Sequence, residues 1–262
     1  MSIAFLILAH KNPAQVALLI KSLIDMNFRV FVHVDLKSNI QDYIEEAQKI
    51  SKTNNVVWCR RRYNVTIGQF SLVEATLSSL EEILNYKEIY YTILLSGQDL
   101  PIRTKSFIRD FFLKNRNSIL IEYFKIPSQN LFDGGIIRFP SFEEIDPKIP
   151  LYAGSSWWSA PNIFLSEVMD FINLNPLLKL YFQKVDIPEE SFFQTIFLNL
   201  ENNFDVNLIN DNYRLILWDK NAPHPKILTQ SEMSKIKNSS AILARKFDIN
   251  IDSNIIFNLI RK

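Results

Sequence analysis

The chain of 262 residues contains a single cysteine, Cys59. Neither an intrachain disulfide nor a cysteine-based zinc site can be built from it, and such a composition suggests a reducing compartment. Histidine is almost as scarce. His10, His33 and His224 lie far apart without metal-ligand spacing, and each reads as a hydrogen-bonded strand-end or loop residue. An excess of charge of one sign is also missing: 29 basic residues face 28 acidic ones, for a formal net charge of +1. No bulk field draws such a chain to nucleic acid, so any anion binding has to be local. The first apolar run, Ile3 to Ala9, is too short for a membrane span and lacks a basic leader or a small-residue cleavage site, which leads to the expectation of a cytoplasmic protein. P-loop, nucleophile-elbow and G-x-G-x-x-G patterns are absent from the sequence.

What is present is apolar and aromatic material in quantity, 47% and 13% of the residues, enough to fill the core of one domain over residues 1–262. Ile3 to Ala9 is continuously apolar, which suits a strand covered on both faces. A helix is expected from Pro13, with Val16, Leu19, Ile20 and Leu23 on one face, followed by a strand from Phe28 to Val34. The alternation continues through a helix over 41–50, a strand at Val56 to Cys59, a helix from Ser71 and a strand from Tyr90 to Leu95. A helix near Thr104 and a strand from Ser118 to Tyr123 complete it. This order predicts an α/β fold with a mostly parallel central sheet flanked by helices. Ligands of such sheets collect beyond the carboxyl ends of the strands, where Asp35 and Asp99 are expected. From Pro127 to Gly154 the pattern fails, as in a long surface excursion. Helices are then expected over 161–172 and 188–200, and a strand over 213–218.

Three constellations can carry chemistry. Pro188-Glu189-Glu190 places two carboxylates at a helix start; that is either a favourable helix-dipole interaction or a general base aimed into a cleft. Arg245-Lys246 follows the apolar run Ala241 to Ala244 and is either solvated surface or, with Lys226 in the turn Pro223-His224-Pro225-Lys226, a pair of cations able to neutralise a diphosphate. Ser96-Gly97-Gln98-Asp99 offers one carboxylate where a D-x-D pair would hold a divalent cation, so no metal site is expected. Trp157 and Trp158 are read either as core or as faces for stacking on a sugar ring. Arg60, Arg61 and Arg62 read as a solvated edge.

The segments Leu6-Ile7-Leu8-Ala9-His10, His33-Val34-Asp35-Leu36-Lys37-Ser38, Ser71-Leu72-Val73-Glu74-Ala75-Thr76-Leu77 and Leu95 to Arg103 occur in order. They are followed by Gly154-Ser155-Ser156-Trp157-Trp158, Pro188-Glu189-Glu190 and Ala244-Arg245-Lys246-Phe247-Asp248. In that order the chain resembles the core-2/I-branching β-1,6-N-acetylglucosaminyltransferase family, which also includes peptide O-xylosyltransferases. The resemblance implies a GT-A-like nucleotide-sugar transferase fold, an inverting mechanism, a UDP-sugar donor and no bound metal. It assigns Glu190 as the catalytic base. It places Lys246 and Lys226 on the donor diphosphate and Asp35 near the nucleoside. The expected donor site also takes in His10, Gly97 and Arg245, and the expected substrate site takes in Asp99, Trp157, Trp158 and Glu189.

Two positions depart from the family pattern. Ile67-Gly68-Gln69 stands where Trp-Gly-Gly is common, and Lys226 stands where animal members have arginine, which exchanges a bidentate contact for a point charge. Animal relatives are membrane-anchored and disulfide-stapled, so this chain reads as a bacterial, cytosolic member. The expected role is transfer of a sugar, GlcNAc first, to an acceptor hydroxyl in surface-polysaccharide synthesis; xylose, glucose, galactose and glucuronic acid remain open as alternatives. The acceptor is expected to be a carbohydrate, with a lipid-linked one as an open form, at most peripheral contact to the inner face of the membrane and no nucleic-acid partner. A glycosidase would instead release free sugar without a nucleotide donor, and a non-catalytic carbohydrate-binding protein would not bind UDP.

Overall fold

The structure is a computed structural model that describes residues 2–50, 55–129, 132–220, 222 and 224–260. Pro223, part of the proline-flanked turn, lies outside the described residues. The chain divides into two compact units: Met1–Arg60, Leu94–Asn115 and Tyr213–Lys262 form the first, Arg61–Ile93 and Arg116–Asn212 the second.

In the first unit, β1 (Ser2–Ala9) and β2 (Phe28–Val34) pair in parallel from Ile3↔Phe28 to Ala9↔Val34. Both are enclosed nearly throughout, β1 by its unbroken apolar run from Ile3 to Ala9 and β2 with His33 buried among its apolar residues. The strand β3 (Val56–Trp58) adds to β2 in parallel. Between them lie α1 (Pro13–Leu23), with proline at its first helical position, and α2 (Ile40–Ile50). The expected face of α1 is the buried one: Val16, Leu19, Ile20 and Leu23 are inaccessible to solvent, and each such side chain stabilises by about 1.5–3 kcal/mol. The end of β4 (Ile89–Ser96) also belongs here. A second, three-stranded sheet has the order β5-β10-β9, from β5 (Leu100–Pro101), β9 (Arg214–Ile216) and β10 (Leu243–Arg245). α4 (Lys105–Lys114) starts at Thr104, whose hydroxyl accepts the Phe107 N–H.

The second unit holds residues 89–93 of β4, α3 (Ser71–Leu84), β6 (Ser118–Lys125), β7 (Tyr152–Pro161), α5 (Asn162–Leu174), α6 (Pro176–Phe182), α7 (Phe192–Leu200) and β8 (Asn207–Ile209). β7 runs antiparallel to both β4 and β6, while β8 is parallel to β6. Hydrogen-bonded order along the large sheet is β3-β2-β1-β4-β7-β6-β8. This is the α/β, GT-A-like arrangement expected from the sequence, with β7 as the strand that runs against its neighbours.

Two expectations need correction. Residues 127–154 are not all loop, because β7 begins at Tyr152. Gly154 permits this start: a Cβ there would stand 1.9 Å from the Glu122 carbonyl oxygen, beside the register shift between Ile121 and Tyr123. The helix expected over 188–200 is broken. Pro188–Glu190 forms a separate 3-10 turn after Ile187 in a left-handed conformation, and α7 starts only at Phe192, after Ser191 leaves helical geometry.

Candidate functional site

In the first unit, charged groups gather where β1 and β2 end. Asp35 follows β2; its N–H donates to Ala9 O at 2.8 Å, and its Oδ1 accepts the Lys37 N–H at 2.8 Å, so a tight turn fixes the carboxylate. The Ser38 hydroxyl donates to His10 O, joining the two strand ends. His10 is exposed yet crowded by protein. That crowding, then Lys11, lowers its imidazole pKa, with Lys246 and Arg245 acting in the same direction and Asp35 opposing them. The Lys246 ammonium is lowered first by burial, then by Arg245 and Lys11. His10, Lys11, Asp35, Arg245 and Lys246 thus form one electrostatic cluster.

The turn carrying Lys246 is held from behind. The Phe247 N–H donates to Gln98 O, the Gln98 and Gln15 side-chain amides both donate to Phe247 O, and Gln15 Oε1 accepts the Ile249 N–H. Asp248 accepts from Lys11 Nζ at 2.8 Å and Asn12 Nδ2 at 3.1 Å. Asp99 is fully buried and accepts from the Ser96 N–H and hydroxyl. Its carboxylate lies 3.2 Å from Arg245 Nε and 3.5 Å from Arg214 Nε. The small sheet explains this meeting, because β10 ends at Arg245 and β9 begins at Arg214. Burial pushes the Arg214 guanidinium down to about 10 against the opposing pull of Asp99. Asp99 is therefore an enclosed anchor for Arg245 and presents no surface to a substrate, which corrects the expectation placing it there.

Lys226 reaches the same region by backbone. Its N–H donates to Leu217 O, and Leu228, two residues on, donates to Lys246 O at 2.8 Å. The Lys226 ammonium, however, pairs with Glu232 at 2.8 Å. Burial alone would raise the Glu232 pKa; the hydrogen bonds from Lys226 and from Thr229 and Ser231 hold it down to about 2. Thr229 and Glu232 form a reciprocal capping box, so the carboxylate that holds Lys226 is itself fixed in a turn. Gly97 is buried, and a Cβ there would meet Val16 Cγ2 at 2.9 Å; its lack of a side chain serves the packing of α1 against the end of β4.

In the second unit, the turn Pro188–Glu190 is pinned at three points. The Asp186 N–H donates to Arg138 O, the Ile187 N–H donates to Gly68 O, and Arg138 Nη1 donates to Glu190 Oε2 at 2.7 Å. Glu190 and Arg138 are both partly exposed, at 38% and 43% of their side chains. The Oε2 of Glu189 is buried without a hydrogen bond among the described residues. Burial pushes the Glu189 carboxyl up to about 7, with Glu190 adding to the rise, while hydrogen bonds from the backbone at Glu189 and Gly68, and the charge of Arg138, oppose it. Glu122 on β6 is raised by burial and then by Asp211 and Glu190. Trp158 is 1% exposed and packed on Phe193 and Phe197, with ring centroids 5.1 and 5.3 Å away. It belongs to the core, correcting its reading as a sugar-stacking face, and Trp157 at 9% is nearly as enclosed.

A cavity of about 220 Å³ in this unit is lined by Arg61, Tyr63, Glu74, Glu81 and Lys179 among others, and by none of the residues expected around the donor or the acceptor; Arg61, read as part of a solvated edge, lies on its wall. Among the described residues, no three His, Cys, Asp or Glu side chains are grouped so as to hold a metal ion. Sequence reasoning missed Arg138, Arg214, Glu232 and the two glutamines. The partners of Arg138, Arg214, Gln15 and Gln98 lie tens to hundreds of residues away, where no local pattern marks them, whereas Thr229-Gln230-Ser231-Glu232 carries the local spacing of a capping box that could have found Glu232.

The fold is α/β with its charged groups clustered at strand ends and on one pinned turn. The chain belongs to the Core-2/I-Branching enzyme family, which it matches over residues 3–240. It is 25% identical over 248 residues to the beta-glucuronosyltransferase GlcAT14A of Arabidopsis thaliana, covering 84% of this chain and 55% of that protein. Similarity to the xylosyltransferase oxt of Drosophila pseudoobscura pseudoobscura is 28% over 218 residues, 75% of this chain and 24% of the relative. A beta-1,3-galactosyl-O-glycosyl-glycoprotein beta-1,6-N-acetylglucosaminyltransferase of bovine herpesvirus 4 is 26% identical over 183 residues, 64% and 40% of the two chains. The chain thus spans about half the length of these relatives or less. Among the described residues, no helix is long and apolar enough to cross a membrane.

Proposed function

We propose that the protein is an inverting, metal-independent glycosyltransferase that moves a sugar from a UDP-sugar to an acceptor hydroxyl. The observation that carries this reading is the cluster at the ends of β1 and β2. Burial and the charges of Arg245 and Lys11 both oppose the protonated form of Lys246, an arrangement that a bound anion relieves. In the proposed complex, Asp35 and His10 lie by the nucleoside, Lys246 faces the diphosphate with Arg245 behind it, and Lys226 joins by exchanging its hold on Glu232. Glu190 removes the proton of the acceptor hydroxyl as that oxygen attacks the anomeric carbon from the face opposite UDP. The bond from the anomeric carbon to the phosphate oxygen breaks, the configuration inverts, and the cations take up the charge on departing UDP.

The names of the relatives, which transfer glucuronosyl, xylosyl and N-acetylglucosaminyl groups, support sugar transfer as the reaction. We favour UDP-GlcNAc as donor, with UDP-xylose, UDP-glucose, UDP-galactose and UDP-glucuronic acid as the alternatives that one assay panel separates. A carbohydrate acceptor, lipid-linked and met at the inner face of a bacterial membrane in polysaccharide synthesis, completes the proposal. The test is transfer over that panel by the wild type and by Glu190→Gln. The variant should lose about 100-fold or more in turnover while still binding UDP. Turnover equal to the wild type would remove Glu190 from the role.

A further inference from the structure

We propose that Arg138 is the positioning residue of Glu190, clamping the carboxylate by Oε2 so that Oε1 faces the acceptor hydroxyl. The inference rests on Glu190 being the base. Arg138 holds the Pro188–Glu190 turn twice. Its carbonyl accepts the Asp186 N–H at the start of the turn, and its guanidinium donates to Glu190 at the end. Only Oε2 of Glu190 is engaged; Oε1 makes no hydrogen bond among the described residues. A base with one oxygen fixed by a third group and the other open has the geometry of an oriented proton acceptor.

The surrounding charges make this partner necessary. The charge of Glu190 raises the pKa of both Glu189 and Glu122, so those neighbours disfavour a free carboxylate at Glu190 and the Arg138 guanidinium favours it. Arg138 also fixes a direction, which a flexible point charge does less well than a planar guanidinium. The segment carrying Arg138 is shaped for the purpose. Asp133, Gly134 and Gly135 take left-handed conformations in succession, turning the chain back so that Arg138 meets residues 186–190.

The experiment is a kinetic cycle over wild type, Arg138→Ala, Arg138→Lys, Glu190→Gln and the Arg138→Ala/Glu190→Gln double variant, each able to keep the backbone bond to Asp186. Removing Arg138 should lower kcat by about 10-fold or more, on the cost of misplacing a catalytic group, with the donor KM within about twofold. Lysine should restore part of the loss. In the Glu190→Gln background, removing Arg138 should cost nothing further; an equal loss in both backgrounds, or a change confined to donor KM, overturns the proposal. Melting temperatures should stay within a few degrees, because an exposed ion pair adds little stability.

Carbodiimide labelling read by mass spectrometry supplies an arm independent of activity. Glu190 should label several-fold more readily in Arg138→Ala than in wild type, with exposed Glu143 as the unchanged reference, and equal labelling overturns the clamp. A wild type that labels as expected but transfers nothing to any acceptor on the UDP-sugar panel refutes the base assignment, and so the positioning role, while leaving the ion pair itself established.

Discussion

Replacing Glu189 by glutamine should leave stability almost unchanged in mild acid and raise it in mild base. The Glu189 Oε2 is buried without a hydrogen-bond partner among the described residues, and burial raises the carboxyl from 4.5 to about 7. Between those values the folded protein keeps a proton that the unfolded chain has already released. Stability therefore falls as pH rises through that window and levels off above about 7. At about 1.36 kcal/mol per pKa unit, the full span is worth about 3 kcal/mol. Glutamine has nearly the same shape and never ionises. In urea unfolding at constant ionic strength, the variant should match wild type within about 0.5 kcal/mol at pH ~4.5 and exceed it by about 2–3 kcal/mol at pH ~8. A variant that is less stable at the higher pH, or offset equally at both, would refute the assignment of Glu189 as a buried carboxyl kept neutral.

Gly154 and Gly97, two of the glycines that permit close approach, should differ in cost. Gly154→Ala drives a Cβ to 1.9 Å from a backbone carbonyl oxygen that cannot move alone and should cost on the order of 3 kcal/mol by denaturant unfolding. Gly97→Ala meets Val16 Cγ2 at 2.9 Å, a stiff side chain on a helix, and should cost about 1–2 kcal/mol; a larger loss at Gly97 than at Gly154 would contradict the packing described.

Much of the fold was legible because burial writes itself into local pattern. The unbroken run of β1, the mostly apolar stretches of β2 and β4 and the apolar face of α1 were visible in the local pattern. β7 did not, since Tyr152 to Ser156 is polar and small, and its strand character comes from pairing with β6. The site was legible in part for the same reason. His10, Asp35, Arg245 and Lys246 lie close to strand ends that the pattern located, and the structure brings them into one cluster. Asp99 was found at the right place but assigned to the wrong side of the surface. Nothing in Ser-Gly-Gln-Asp says that two arginines, more than 100 residues further along, will enclose it. Trp158 was equally ambiguous until Phe193 and Phe197 closed over it. The contrast between Glu189 and Glu190 was blurred by reading one continuous helix; the break at Ser191 and the reach of Arg138 separate a buried carboxyl from an ion-paired one.

In the proposed complex the cations around Lys246 receive a nucleoside diphosphate without help from a metal. Calorimetric titration of UDP into the protein in excess EDTA tests it most directly, comparing wild type with Lys246→Ala. The wild type should bind, and the variant should bind at least about 10-fold more weakly, on the worth of one charge-assisted contact. Wild-type binding that appears only after manganese is added, or that survives the loss of Lys246 undiminished, would contradict it.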